Sequence, residues 1–151
     1  MSTFADSSAL VKLYADETRY EEVRSLAPLV ISQLARVEVP AAVWRKRRMN
    51  ELSPDDSAVL VAAFEADYFG TEDEPPRFAV VAVTPAVLDD AARCTGVHGL
   101  RAYDAIQLAA ARAARDADDD CTGLAAFDNA LRSAAAAEGI ALLPADRVSS
   151  A

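Results

Sequence analysis

Histidine is almost missing from this chain of 151 residues, with His98 the only one. A histidine-rich metal centre is therefore excluded. A Ser-His-Asp triad would have to draw on Gly96-Val97-His98-Gly99, a stretch that reads as an ordinary loop. Cysteine is nearly as scarce. Cys94 and Cys121 form no CxxC spacing, which rules out a thiolate zinc site and a disulfide framework and leaves two buried free thiols as the expectation. No lysine follows Lys46. No apolar run approaches the ~20 residues that a bilayer crossing needs. The N-terminus has no basic segment followed by an apolar one, so no secretory signal is expected. The expected location is the cytoplasm, away from any membrane. Internal repeats are absent, and residues 70–76 are the only linker-like stretch.

What is present describes a folded protein. Hydrophobic residues make up 52% and charged residues 26%, a balance that supports a core and argues against disorder. At 16.0 kDa the chain is expected to form one domain over residues 1–151. The net charge of −9 weighs against nucleic-acid binding through bulk charge. It does not exclude a metal-dependent nuclease, because a bound cation inverts the local potential.

Apolar runs place strands at residues 3–6, 29–31, 78–83, 123–127 and 140–143. Helical spacing fills the intervals: residues 8–15, residues 20–26, a helix capped by Ser32, and one opened by Ser53-Pro54-Asp55-Asp56 that ends near Gly70. Another follows Thr84-Pro85, and two more cover residues 102–117 and 130–137, the last stopped by Gly139. Pro40 removes a backbone donor within the Ser32 helix, so a kink or restart is expected there. Gly96 and Gly99 are expected to break the helix that Pro85 opens. The alternation predicts a three-layer α/β/α fold around a mostly parallel central sheet of four to five strands. Sites in such folds lie beyond the carboxyl ends of the strands, at a topological switch point.

Four acids occupy positions that this topology aims at one place. Asp6 and Asp128 each close a short apolar run and read as strand-end carboxylates, while Glu38 and Asp104 interrupt apolar stripes near helix starts. Burying an unpaired charge is costly. Converging acids with no matching set of bases point to a divalent metal ion as compensation. Each acid also has an ordinary structural use. Asp6 and Asp128 suit helix N-caps, and Asp104 suits a first helical turn, where the dipole favours an acid. Glu38 lies too far past Ser32 for capping.

The stretches Ala5-Asp6-Ser7-Ser8-Ala9-Leu10-Val11-Lys12-Leu13-Tyr14, Val37-Glu38-Val39, Leu100-Arg101-Ala102-Tyr103-Asp104-Ala105-Ile106-Gln107-Leu108-Ala109 and Phe127-Asp128-Asn129-Ala130-Leu131 span almost the whole chain. In that order the chain resembles the PIN-domain nucleases, and more closely the VapC-type toxins of toxin–antitoxin pairs. The resemblance maps the family's acidic metal-site positions onto Asp6, Glu38, Asp104 and Asp128. It implies a Mg2+- or Mn2+-dependent endoribonuclease that cleaves RNA phosphodiesters with a metal-activated water and no separate protein nucleophile. It further implies a cognate antitoxin, an arginine of which would enter the acidic pocket, and a homodimer. Two positions depart from the family pattern. Ala126 stands where a hydroxyl residue is frequent, and Pro40 follows Glu38 closely.

Substrate contacts are expected from Ser7, Arg45, Arg48 and Arg101. Ser7 or Ser8 is placed to bond the Asp6 carboxylate, Arg45-Lys46-Arg47-Arg48 is the densest basic segment, and Arg101 adjoins Asp104. The basic segment serves equally as a solvated helix end. Lys12 reads as a surface lysine, and Tyr14, Trp44 and Tyr103 read as packing residues. Two rival functions remain to be weighed. One is a noncatalytic scaffold of the same fold that binds RNA or protein. The other, a phospho-receiver domain, needs a lysine after a later strand, and none exists.

Overall fold

Short runs of small and β-branched residues form five strands in the computed structural model, which describes residues 1–145. They are β1 (Ser2–Ala5), β2 (Leu29–Ser32), β3 (Ala79–Val81), β4 (Cys121–Ala125) and β5 (Ala141–Leu143). All pairings are parallel, in the order β3-β2-β1-β4-β5. The order reverses at the β1–β4 pair, where Ala5 lies beside Ala125. Between the strands run α1 (Ser7–Leu10) with a 3-10 turn at Val11–Leu13, α2 (Tyr20–Arg24), α3 (Ala35–Arg48), α4 (Pro54–Phe69), α5 (Pro85–His98), α6 (Ala102–Ala117) and α7 (Asn129–Ala137).

Strand alternation splits the core in two. Phe4, Val30 and Leu124 face a cluster that includes Val87, Cys94, Leu108 and Leu131 from α5, α6 and α7. Ala5, Leu29, Ile31 and Ala125 face a second cluster with Leu10, Val23, Val39 and Phe64. The expected three-layer arrangement, helices on both faces of a parallel sheet, is the one observed. Both cysteines are free and buried, also as expected. Among the described residues, no helix is long and apolar enough to cross a membrane.

Several local expectations are corrected. Helix α3 runs unbroken through Pro40, because the fully buried Val39 and Val43 anchor it to the core on both sides of the missing donor. Ser32 is not its N-cap: it ends β2 fully buried, its hydroxyl accepts from Leu34 N at 3.1 Å, and α3 starts without a side-chain cap. Helix α5 continues through Gly96 to His98, because Ala91 and Cys94 dock it against α6 and outweigh the ~1 kcal/mol propensity cost of glycine. It stops only at Gly99, where φ is +64°. Three starts match their sequence signals: Ser53 and Thr84 cap α4 and α5, each followed by proline at the first helical position, and α6 covers residues 102–117.

His98 is no loop residue. It closes α5 and bonds Glu138 Oε1 through Nε2 at 2.7 Å. The same oxygen accepts from Arg93 at 3.0 Å, and Arg112 reaches the other at 3.4 Å. Arg93 and Arg112 also both reach Asp90 at 3.1 Å, so the network ties α5, α6 and the end of α7 together. The His98 hydrogen bond, helped by Arg93, holds the Glu138 carboxyl below its ordinary 4.5. A carboxylate depressed in the folded state stabilises it above the unfolded pKa and loses that contribution as pH falls through the folded value. Glu138→Gln is therefore expected to lower the melting temperature at pH 7, with the gap to wild type closing below pH ~4. Thermal melts of both proteins across that range check it, and a gap independent of pH would contradict it.

Candidate active site

The chain turns from β1 into α1 at Asp6, and that turn defines the site. Asp6 N donates to Ala125 O at 3.1 Å, which fixes the residue at the switch point between β1 and β4. Its side chain is the N-cap of α1: Oδ1 accepts from Ala9 N at 3.0 Å and from Ser8 Oγ at 2.7 Å. Phe127 N in turn donates to Ser8 Oγ at 3.1 Å, linking the start of α1 to the segment after β4. Only 4% of Asp6 is exposed. Burial pushes its carboxyl up to about 7, against the pull of the Ser8 and Ala9 hydrogen bonds and with help from the charges of Glu38 and Asp104.

The other acids arrive from three further helix starts. Glu38, in the first turn of α3, accepts at Oε1 from Ser7 Oγ at 2.9 Å and from Gln107 Nε2 at 2.7 Å. Asp104, in the first turn of α6, is half-buried. Burial raises its pKa first, then the charges of Asp128 and Glu38, while Arg101 opposes them. Asp128 caps α7 through Oδ1 to Leu131 N at 2.9 Å. It lies beyond the end of β4 at Ala125, so it is a helix cap rather than the strand-end carboxylate expected. The capping uses foreseen for Asp6 and Asp128 and the first-turn position of Asp104 are all observed, and they coexist with mutual electrostatic coupling.

Among the described residues, none of the four acids forms an ion pair with arginine or lysine. Neither do they close into a ready chelating cage: no three Asp, Glu, His or Cys side chains gather tightly enough to hold a metal ion as they stand. The two facts concern different ranges. Charges interact over about a Debye length of 10 Å, whereas direct ligands must all reach one ion. The donor chemistry fits magnesium, which takes oxygen ligands, keeps several waters and is commonly bound through one or two carboxylates. A four-carboxylate inner sphere does not fit this arrangement.

A groove of about 350 Å³ opens at Ser7, Ser8, Lys12, Glu17, Glu38, Ala42 and Phe127. It shares Glu17 and Ala42 with a second cavity of about 260 Å³ lined by Arg45, Lys46, Met49 and Glu51. Arg45 thus borders the surface that leads to Glu38, as does Lys46, whereas Arg48 lines neither cavity. Arg101 is exposed and near enough to Asp104 to lower its pKa. Ser7 bonds Glu38, and Ser8 rather than Ser7 bonds Asp6. A further cavity, about 430 Å³, also reaches Glu17 and Lys46 and is lined by none of the four acids.

Other expectations fail here. Lys12 is buried, 7% exposed: its ammonium bonds Glu17 at 3.2 Å and Thr18 O at 2.7 Å and lies 4.4 Å above the Phe127 ring. Tyr103 is 64% exposed beside Asp104, so it is no packing residue, whereas Trp44 is 36% exposed. Tyr14 does pack, against Phe64, and bonds Asp67. Ala126 is fully buried in the core. Sequence reasoning passed over Gln107 as a site residue, although it lies one turn past Asp104 and is the lone amide in an alanine-rich stripe.

No protein-family model and no curated protein matches the sequence. Among solved structures, the fold is similar to that of FitAcB from Neisseria gonorrhoeae, with TM-score 0.60 and 17% identity over 93% of this chain and 95% of that one. It is also similar to a toxin–antitoxin complex from Klebsiella pneumoniae, with TM-score 0.54 and 14% identity over 83% and 86% of the two chains. At such identities the likeness is one of fold alone, a three-layer α/β/α architecture.

The raised Asp6 pKa has a measurable consequence. Between its unfolded value near 3.8 and about 7, the folded state holds a proton that the unfolded state has lost, so stability falls as pH rises through that window. Asparagine caps a helix as well as aspartate. Asp6→Asn is therefore expected to be more stable than wild type at pH 8 without divalent ions, by a few kcal/mol at most, and no more stable below pH 4. Urea unfolding at both pH values checks this.

Proposed function

We propose that the chain is a Mg2+- or Mn2+-dependent endoribonuclease that acts as the toxin of a type II toxin–antitoxin pair. The observation that carries the reading is the set of mutually coupled acids at the β1–β4 switch point, one of them almost fully buried, with no cation paired to any of them among the described residues. Asp6 and Asp104 would hold the ion most directly, with Glu38 and Asp128 acting at its edge. When bound, such an ion supplies Lewis-acid charge at a phosphodiester and lowers the pKa of water.

The chain's own residues divide the remaining work. Ser8 orients Asp6, and Ser7 and Gln107 hold Glu38. Arg45 and Lys46 border the groove where phosphates of an RNA strand would run, and exposed Arg101 and Tyr103 flank Asp104. A protein nucleophile has little support. Cys94 and Cys121 are buried, burial pushes the Cys94 thiol up, and His98 is committed to Glu138.

The fold shared with a chain solved in a toxin–antitoxin complex supports the biological half of the reading. It includes a cognate antitoxin, whose arginine would neutralise the acids by charge-assisted bonds, a homodimer, and action in the cytoplasm. The open spacing of the acids favours a second reading, a noncatalytic scaffold that binds RNA or protein.

Purified protein is expected to cleave RNA with Mg2+ or Mn2+ and to stop with chelator. Asp6→Asn and Asp104→Asn are each expected to keep the wild-type circular dichroism spectrum and to lose at least ~100-fold in cleavage rate. Full activity in either folded variant removes that residue from the mechanism. Metal binding with no cleavage by wild type selects the scaffold.

A further inference from the structure

Gln107 is a costly residue for its position. It is 2% exposed on the core side of α6, among Ala105, Leu108, Ala109, Ala110 and Ala111. Its Oε1 is buried and, among the described residues, has no hydrogen-bond partner. An apolar side chain of the same size would remove that unmet acceptor and fill the same space, so fold stability alone does not account for a glutamine here.

Its amino group accounts for it. Nε2 donates to Glu38 Oε1 at 2.7 Å and to Ser7 Oγ at 3.1 Å, and Ser7 Oγ donates to the same Glu38 oxygen at 2.9 Å. The carboxylate only accepts, which fixes the amide orientation: nitrogen toward Glu38, oxygen away. Three helix starts, α1, α3 and α6, are pinned to one another through this triangle. Both donors act on one oxygen of Glu38, and among the described residues the other oxygen accepts no hydrogen bond.

We propose that Gln107 is a positioning residue that, with Ser7, clamps Glu38 Oε1 and so directs the remaining Glu38 oxygen toward a water of the divalent ion that Asp6 and Asp104 would hold. The proposal rests on the metal-dependent reading above. A clamp of this kind sets ligand geometry, and loss of such an outer partner commonly lowers metal affinity 10- to 100-fold.

The test uses Mn2+ alone as probe, titrated by electron paramagnetic resonance against wild type, Gln107→Met, Glu38→Gln and the double variant. Methionine keeps length and burial while removing both hydrogen bonds, and a melt is expected to show Gln107→Met at least as stable as wild type. Gln107→Glu, which faces Glu38 with an acceptor, serves as a second disruption. Both Gln107 variants are expected to bind Mn2+ about 10-fold or more weakly. In the Glu38→Gln background, Gln107→Met is expected to change the Kd by less than about twofold, because the group it acts through has already been altered. Wild-type binding with undiminished affinity in Gln107→Met, or with the same loss in both backgrounds, overturns the clamp and leaves the metal reading standing. Absence of Mn2+ binding by wild type removes both.

Discussion

The candidate site is organised around one carboxylate placed where water scarcely reaches. The turn from β1 to α1 lies at the point where the strand order reverses, and Asp6 occupies it with 4% of its surface exposed. A parallel sheet brings the ends of β1 and β4 to the same edge, and the helices after them start there with their positive dipole ends. Two backbone and hydroxyl donors reward one oxygen of Asp6, yet burial and two neighbouring acids still penalise its charge. The fold tolerates this local cost and surrounds it with further negative groups instead of cations.

The treatment of acids elsewhere in the molecule makes the contrast plain. On the α5–α7 side, Asp90 and Glu138 share Arg93, Arg112 and His98 in one network. Near the groove, Glu17 holds both Lys12 and Lys46. Where structure needs an acid, this chain supplies partners. Among the described residues, the acids at the switch point receive only hydrogen bonds from neutral donors: Ser7, Ser8, Gln107 and backbone amides. Neutral donors orient a carboxylate without cancelling its charge, which is the property a cation site requires.

Much of the architecture was legible because local signals and packing agree. Ser53-Pro54 and Thr84-Pro85 combine a capping hydroxyl with a proline preset for the first turn, and residues 102–117 join high helix propensity to a clear apolar stripe. Misreadings fall where tertiary contacts override local preference. Pro40 and Gly96 look like breaks, yet Val39, Val43, Ala91 and Cys94 dock their helices firmly. At the site, the acids were visible through type and position, and Asp6 and Asp128 proved to be caps as well. Lys12 and Tyr103 were misassigned and Gln107 was passed over, because their surroundings are set by the tertiary fold. Gln107 meets Ser7 and Glu38 across 100 and 69 positions.

The start of α1 carries an evolutionary consequence. The same oxygen of Asp6 that begins the helix is one an amide oxygen can replace, so folding and chemistry make separable demands on the residue. Aspartate and asparagine codons differ at a single base. On the proposed reading of Asp6, a population carrying this gene is always one transition away from a folded but inactive protein.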